Sequence, residues 1–186
     1  MNEQELRTLL DTHGVIRPGH FLRASGRHSD HYVQCAGLFR QAAAGEVIGR
    51  ELAARFRDAG AQMVFSAAVG AILPGWEVSR ALQVPFIYCE RKDGAMTLRR
   101  GFSIEPGTAV LLVEDEVQTG TSVREMTEIV RALGGHVVGV GCIVDKSGGS
   151  LSFDAPFEAL VAQRVEHYSH KACPLCEAGI PLDSHG

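Results

Sequence analysis

No apolar run in this 186-residue chain approaches the roughly 18 residues that a membrane span requires. The opening M-N-E-Q-E-L also lacks the basic-then-apolar layout of a secretory leader, so the expectation is a cytoplasmic protein. Excess positive charge is missing as well: the formal net charge is -4, and Lys and Arg are spread along the chain. That gives no electrostatic reason to expect nucleic-acid binding. The one short basic cluster, Arg91, Lys92, Arg99 and Arg100, suits a small polyanion better than a duplex backbone. Cysteine is sparse and odd in number: Cys35, Cys89, Cys142, Cys173 and Cys176. Three of the five lie in apolar or strand-like contexts, which favours reduced thiols over a disulfide framework. Neither G-x-x-x-x-G-K-[ST] nor G-x-G-x-x-G after a strand occurs, so the common nucleotide-binding loops are excluded. Internal repeats, low-complexity segments and interdomain linkers are absent too, and the length fits one unit with a substantial core.

What is present is organised around Val110 to Ser122, V-L-L-V-E-D-E-V-Q-T-G-T-S. Four apolar residues read as a buried strand, acidic residues stand at its end, and a Thr-Gly-Thr-Ser turn leads into a helical pattern beginning near Val123. Gly120 accepts backbone angles that other residues resist, so successive N–H groups can converge on a phosphate at the helix start. Thr119, Thr121 and Ser122 add hydroxyl donors. Ionised Glu114 and Asp115 only accept hydrogen bonds, which suits ribose hydroxyls or a metal held through water. The stretch reads as a sugar-phosphate site at the carboxyl end of a strand.

These residues resemble the phosphoribosyl-pyrophosphate (PRPP) motif of type I phosphoribosyltransferases, with bacterial orotate phosphoribosyltransferases the nearest pattern. Glu116 stands where an apolar residue is usual, and Gln118 replaces the first Thr of the turn. A second resemblance lies at Phe21 to Ser29, F-L-R-A-S-G-R-H-S, which is similar to a block in the family's base-covering hood. Ser25, Gly26, Arg27 and Ser29 match it, while Ala24 stands where a PRPP-holding Lys is frequent. S-A-A-V-G-A-I-L-P, from Ser66, occupies the place of the family's pyrophosphate loop, with Val69 and Gly70 at its turn. Small residues there let backbone N–H groups approach an anion closely. Arg91 and Lys92 match the Arg-Lys pair that opens the family's mobile catalytic loop; its later Lys and His have no clear counterparts, and Arg99 and Arg100 could substitute. Asp145-Lys146 stands where orotate enzymes carry Asp-Arg. Lys146 keeps the charge and loses the planar fork.

Periodicity supplies the frame. Asn2 and Glu5 form a capping-box pattern ahead of Leu6, Leu9 and Leu10, predicting a first helix that stops at Gly14. Strand-like pieces around Phe21 and Tyr32 read as a hairpin or lid. Helices are predicted over 42–58, 72–82 and from Val123 to Gly134, and strands at Met63 to Phe65, Pro85 to Cys89 and Val137 to Val144, with a further strand at Leu160 to Val165. Trp76 is expected at an interface or core edge. The repeated strand-helix-strand order argues for an α/β fold, a central parallel sheet flanked by helices with its ligand crevice at the carboxyl edge. A small hood from about 1–40 plus the tail would cover a core at about 41–165.

The tail H-Y-S-H-K-A-C-P-L-C carries Cys173 and Cys176 at zinc-knuckle spacing. His167 and His170 could complete a four-ligand zinc set, although four ligands within ten residues would close a very tight loop. A reduced, Pro-kinked tail packed on the hood is the alternative. A similar C-P-L-C tail occurs in a subgroup of bacterial orotate phosphoribosyltransferase-like sequences.

Taken together, the resemblance implies transfer of ribose 5-phosphate from PRPP to orotate in pyrimidine biosynthesis, in a homodimer. Glu114 to Ser122, Val69 and Gly70 would hold PRPP. Arg91, Lys92 and Asp115 would be catalytic, with Mg2+ carried mainly by PRPP, and Ser25, Arg27, Gln118 and Lys146 would meet the base. Two other readings stay open: a purine or another heterocycle as acceptor, and a regulator that senses PRPP without turnover.

Overall fold

The computed structural model describes residues 1–184. The first helix, α1 (Glu3–Thr12), begins with the capping box expected from its sequence: the Asn2 side chain accepts from the Glu5 N–H at 2.9 Å, and the Glu5 carboxylate accepts from the Asn2 N–H at 2.8 Å. Two orphan helix donors are thereby satisfied, and Leu6 and Leu10 turn inward. Strands β1 (Ile16–Leu22) and β2 (His28–Val33) pair antiparallel as a hairpin. A short strand near the far end of the chain, β9 (His167–Tyr168), adds to β2 and completes a three-stranded sheet. A single turn of 3-10 helix at Cys35–Arg40 leads into the larger layer.

That layer alternates strand and helix: α2 (Ala42–Arg55), β3 (Met63–Ala67), α3 (Ile72–Leu82), β4 (Phe86–Lys92), β5 (Ala95–Leu98), β6 (Ala109–Val117), α4 (Thr121–Ala132), β7 (His136–Asp145) and β8 (Phe157–Ala162). The sheet order is β5-β4-β3-β6-β7-β8, parallel at every pairing except β4 with β5. The expected α/β architecture is therefore present, with β6 in the sheet interior. Alternation along β6 splits its apolar residues between two cores. Leu111 and Val113 pack with Ile48 and Leu52 of α2 on one face, and Val110 and Leu112 pack with Val123 and Met126 of α4 on the other. Among the described residues no helix is long and apolar enough to cross a membrane.

Three details depart from the expectations. Helix α4 starts at Thr121, two residues before the expected Val123, because Gly120 takes the left-handed conformation (φ +73°) that admits the next residue to the helix. The last strand of the larger sheet, β8, runs from Phe157 to Ala162, earlier than the expected Leu160 to Val165. The basic stretch read as a mobile loop is a β hairpin: β4 continues through Arg91 and Lys92, turns at Asp93 and Gly94, and returns as β5 with Lys92 opposite Ala95.

Helices α2 and α3 approach closely, and Gly49 is the reason. A Cβ at that position would lie 2.4 Å from the Glu77 Cβ and 2.8 Å from its backbone carbon. Since α3 follows directly on the loop after β3, this contact also fixes the loop's exit. Gly49→Ala is expected to destabilise the protein by about 1–3 kcal/mol, the range for overpacking a contact that cannot relax, measured as a lower urea midpoint with unchanged m-value.

Candidate active site

The carboxyl end of β6 carries Glu114, Asp115 and Glu116, and the pleat sends neighbours to opposite faces. Glu114 is buried (4% exposed) on the α4 side, beneath the turn that follows the strand, where the Ser122 side chain hydrogen-bonds to its carboxyl group. Burial pushes its pKa up to about 8, and its Oε1 has no partner. Asp115 faces the other way, toward the loop after β3. A Cβ on Gly70 would stand 2.3 Å from Asp115 Oδ2, so the absence of a side chain there is what lets the loop backbone reach the acid. Burial, and then the neighbouring Glu116 charge, raise the Asp115 pKa to about 6. The two acids read from sequence as a pair thus serve different surfaces.

Glu116 and Lys146, which both stand apart from the usual family pattern, are partners. Lys146 Nζ donates to Glu116 Oε1 at 2.9 Å, and Lys146 is buried (5% exposed) just past the end of β7. A buried ammonium needs a partner to remain charged. Glu116 supplies it, while its second oxygen, Oε2, is buried and unpaired.

Beyond Glu116 the chain forms the turn from Gln118 to Ser122. Thr119 and Thr121 hydroxyls lie 3.0 Å apart, and Arg124 Nη1 donates to the Thr119 carbonyl at 2.7 Å. Helix α4 begins at Gly120 with no side-chain cap. Its first N–H groups and the positive end of its dipole therefore face an anion-sized space.

That space is a cleft of about 380 Å³ lined by Glu116 through Ser122, Arg23, Arg91 and Lys146. A second cleft, of about 350 Å³, is lined by Arg23, Ala24, Tyr32, Val33, Gln34, Gly70, Asp115 and Glu116. They share Arg23 and Glu116, so they make one trough across the carboxyl ends of the strands, where α/β sheets hold ligands. A larger cavity of about 470 Å³ opens between α4 and residues 152–155. It reaches the amino-terminal half of β7 and touches none of these groups.

Not every residue singled out from the sequence reaches the trough. Arg91 lines it, with its guanidinium engaged by the Glu125 carboxylate and the Gly94 carbonyl. Lys92 is exposed at the tip of the β4–β5 hairpin, outside both clefts. Arg99 and Arg100 both pair with Glu90. Val69, 82% exposed, is joined to Ala68 by a cis peptide and precedes Gly70. Ser25 lies in the exposed β1–β2 turn, and Arg27 Nη2 donates to the His167 carbonyl at 2.7 Å, tying β2 to β9. The hood residue that does reach both clefts is Arg23, which sequence reasoning passed over. Its signal was present: it sits one residue before Ala24, the position where an anion-holding Lys is frequent.

His167 and His170 are also not the histidines that the fold brings to Cys173 and Cys176. His167 lies in β9 opposite Ser29 of β2, and the His170 ring lies 5.3 Å from that of His28. The histidines beside the two thiols are His20 and His28.

Residues 40–165 match the family model described as phosphoribosyl transferase domain. The orotate phosphoribosyltransferase of Caldanaerobacter subterraneus subsp. tengcongensis is 45% identical over 186 residues, covering 100% of this chain and 98% of that protein. The enzyme of that name from Pelotomaculum thermopropionicum is 46% identical, again over 100% of this chain and 98% of its own length. Among solved structures, orotate phosphoribosyltransferase from Aeropyrum pernix has a TM-score of 0.69 at 21% identity, covering 84% of this chain and 93% of that one, a likeness of fold. Sheet, strand-end acids and the turn at Gly120 coincide with a family match across the whole core, and the chain belongs to the phosphoribosyltransferase family.

Proposed function

We propose that this chain is an orotate phosphoribosyltransferase, joining the orotate ring nitrogen to C1 of the ribose 5-phosphate of PRPP and releasing pyrophosphate. The observation that carries the reading is the continuous trough with an uncapped helix start at one end, Asp115 and Gly70 at the other, and three cations, Arg23, Arg91 and Lys146, along it. Relatives of that name, alike along the full chain, support the choice of base.

Each group answers one demand of the reaction. The N–H groups and hydroxyls of Thr119 to Ser122 hold the 5-phosphate. Asp115 accepts from the ribose hydroxyls and, once ionised, favours the positive charge that grows on the ring as the bond to pyrophosphate lengthens. Val69, Gly70 and Arg91 receive the departing pyrophosphate. Arg23, Gln118 and Lys146 offer donors to the base and its carboxylate, a role the resemblance assigns to Ser25, Arg27, Gln118 and Lys146. Unpaired carboxylate oxygen at Glu116 and the open face of Asp115 fit a divalent cation beside PRPP. Mg2+ held there supplies charge that offsets the leaving polyanion. Leu73 and Trp76 are exposed one helical turn apart on α3, an apolar face that suits a second copy in a homodimer. Five free thiols suit a reducing, cytoplasmic setting.

The direct test is pyrophosphate release from PRPP and Mg2+ with a panel of bases. Turnover is expected with orotate; release with a purine only would overturn the choice of acceptor, and PRPP binding without turnover on any base would favour a sensor. Asp115→Asn is expected to lower kcat at least about tenfold, consistent with loss of charge stabilisation in the transition state, while the PRPP dissociation constant changes less. An unchanged kcat would remove the role given to the acid.

A pH dependence follows from the same residue. Asp115 loses its charge as pH falls through about 6, so kcat/KM, which reports the free enzyme, should fall on that limb. Glu116→Gln removes a neighbouring negative charge that raises this pKa and frees the Lys146 charge that lowers it, so the limb should move to lower pH. A limb that stays in place or moves upward would show that another group controls it.

A further inference from the structure

The trough does not account for a second cluster in the hood, where two histidines and two cysteines meet. His20 of β1, His28 of β2, and Cys173 and Cys176 of the tail present ligand atoms that all lie within 4.8 Å of one another. Cys173 Sγ is 3.5 Å and Cys176 Sγ 3.7 Å from His20 Nε2, and Cys176 Sγ is 3.4 Å from His28 Nδ1. Zinc bound at about 2.0–2.1 Å to nitrogen and about 2.3 Å to sulfur in a tetrahedron puts unlike ligands about 3.5 Å apart. The sulfur–nitrogen spacings are thus those of the empty tetrahedron. The two ring nitrogens are closer, 2.7 Å, and would separate slightly around an ion.

Two further features point to metal. His20 Nδ1 lies 2.8 Å from the Ile180 carbonyl. Donation from Nδ1 to that oxygen leaves Nε2 with its lone pair aimed at the cluster, the outer-shell arrangement that fixes metal-binding histidines. The described part of the tail also buries little apolar surface. Helix α5 (Pro174–Glu177) buries no residue, Ile180 and Leu182 are exposed, and Cys173 is the buried residue of the segment. Backbone hydrogen bonds also join the tail to β1, including Asp183 N–H to the His20 carbonyl at 2.7 Å and Leu22 N–H to the Asp183 carbonyl at 2.9 Å. A three-stranded sheet with so small an apolar store gains most from a cross-link.

We propose that His20, His28, Cys173 and Cys176 form a structural zinc site that clamps the C-terminal tail onto the β1–β2 hairpin. Two thiolates and two neutral imidazoles balance the charge of Zn2+, so the buried site is neutral, and soft sulfur with imidazole in a closed four-ligand set selects zinc over magnesium. His20 lies three residues before Arg23 and His28 opens β2 just after the turn, so the clamp fixes the turn end of the hairpin, beside the residues that reach the trough.

The test is metal content. Full-length protein, purified reduced and without chelator or an immobilised-metal column, is expected to hold one zinc per chain by elemental mass spectrometry. The Cys173→Ser, Cys176→Ser double variant should hold none, and His170→Ala should keep it. Stripping zinc from the wild-type protein should lower Tm by several degrees and re-addition should restore it. Cobalt substituted into the stripped wild-type protein should give the intense visible absorption of a tetrahedral thiolate site, a readout that does not depend on any variant folding. Wild-type protein that takes up no zinc or cobalt under reducing conditions would overturn the proposal. So would zinc retained by the double variant, or a Cys173–Cys176 disulfide in protein whose free thiols were blocked at lysis.

Discussion

The constraint on which the site depends is the cost of holding three consecutive carboxylates at the end of a buried strand. Water is largely excluded, and each charge disfavours the next. The protein answers differently for each acid. Glu114, with its pKa raised from an ordinary 4.5 to about 8 by burial, is mostly neutral near pH 7 and acts as a polar prop under Ser122. Because its folded pKa lies above its unfolded one, the folded state holds the extra proton. The associated stability is full below about 4.5 and is lost as pH rises toward 8. Asp115 retains a charge near neutrality because its raised value stops at about 6. Glu116 is kept beside Lys146. One strand end therefore offers a neutral prop, an ionised face and a charge pair.

This arrangement explains why two departures from the family pattern occur together. Alone, an acid at Glu116 would add a further negative charge beside ionised Asp115, and a cation at Lys146 would be buried with no counter-charge. Joined at 2.9 Å, each removes the other's penalty. The pair also sets the character of the trough between phosphate turn and hood. Lys146 has three rotatable donors where an Arg would present a rigid fork, so one of its N–H bonds can stay on Glu116 while others turn to a ligand. The neighbouring Arg23 supplies the planar guanidinium.

Elements whose identity is set by local pattern were legible in the sequence. The capping box at Asn2 and Glu5, the bounds of α3 at Ile72 and Leu82, the Asp93-Gly94 turn and the phosphate turn at Gly120 all follow from neighbours within a few residues. The opposite facing of Glu114 and Asp115 was legible too, through the two-residue period of a strand, and a reading by motif alone passes over it. What local pattern could not yield was contact between distant segments. Glu116 meets a lysine thirty residues away, Arg27 meets His167, and the histidines beside Cys173 and Cys176 come from β1 and β2. Spacing alone favoured the nearby His167 and His170 because it measures distance along the chain, whereas β9 folds the tail back across β2.

That return of the chain gives the hood its mechanical logic. The β1–β2 hairpin carries Arg23 and Ala24 in its turn, facing the trough, and has little apolar mass of its own, so thermal motion of the turn end would displace the residues that line it. Three cross-ties oppose this: the Arg27 bond to the His167 carbonyl, pairing of β2 with β9, and the His20, His28, Cys173, Cys176 cluster at the opposite edge. The first two act through hydrogen bonds, which contribute modestly. The cluster joins both strands of the hairpin to the tail at a single point. Pre-ordering the hood there would reduce the entropy lost when it closes on a base, so a site that never touches substrate still bears on how the trough binds it.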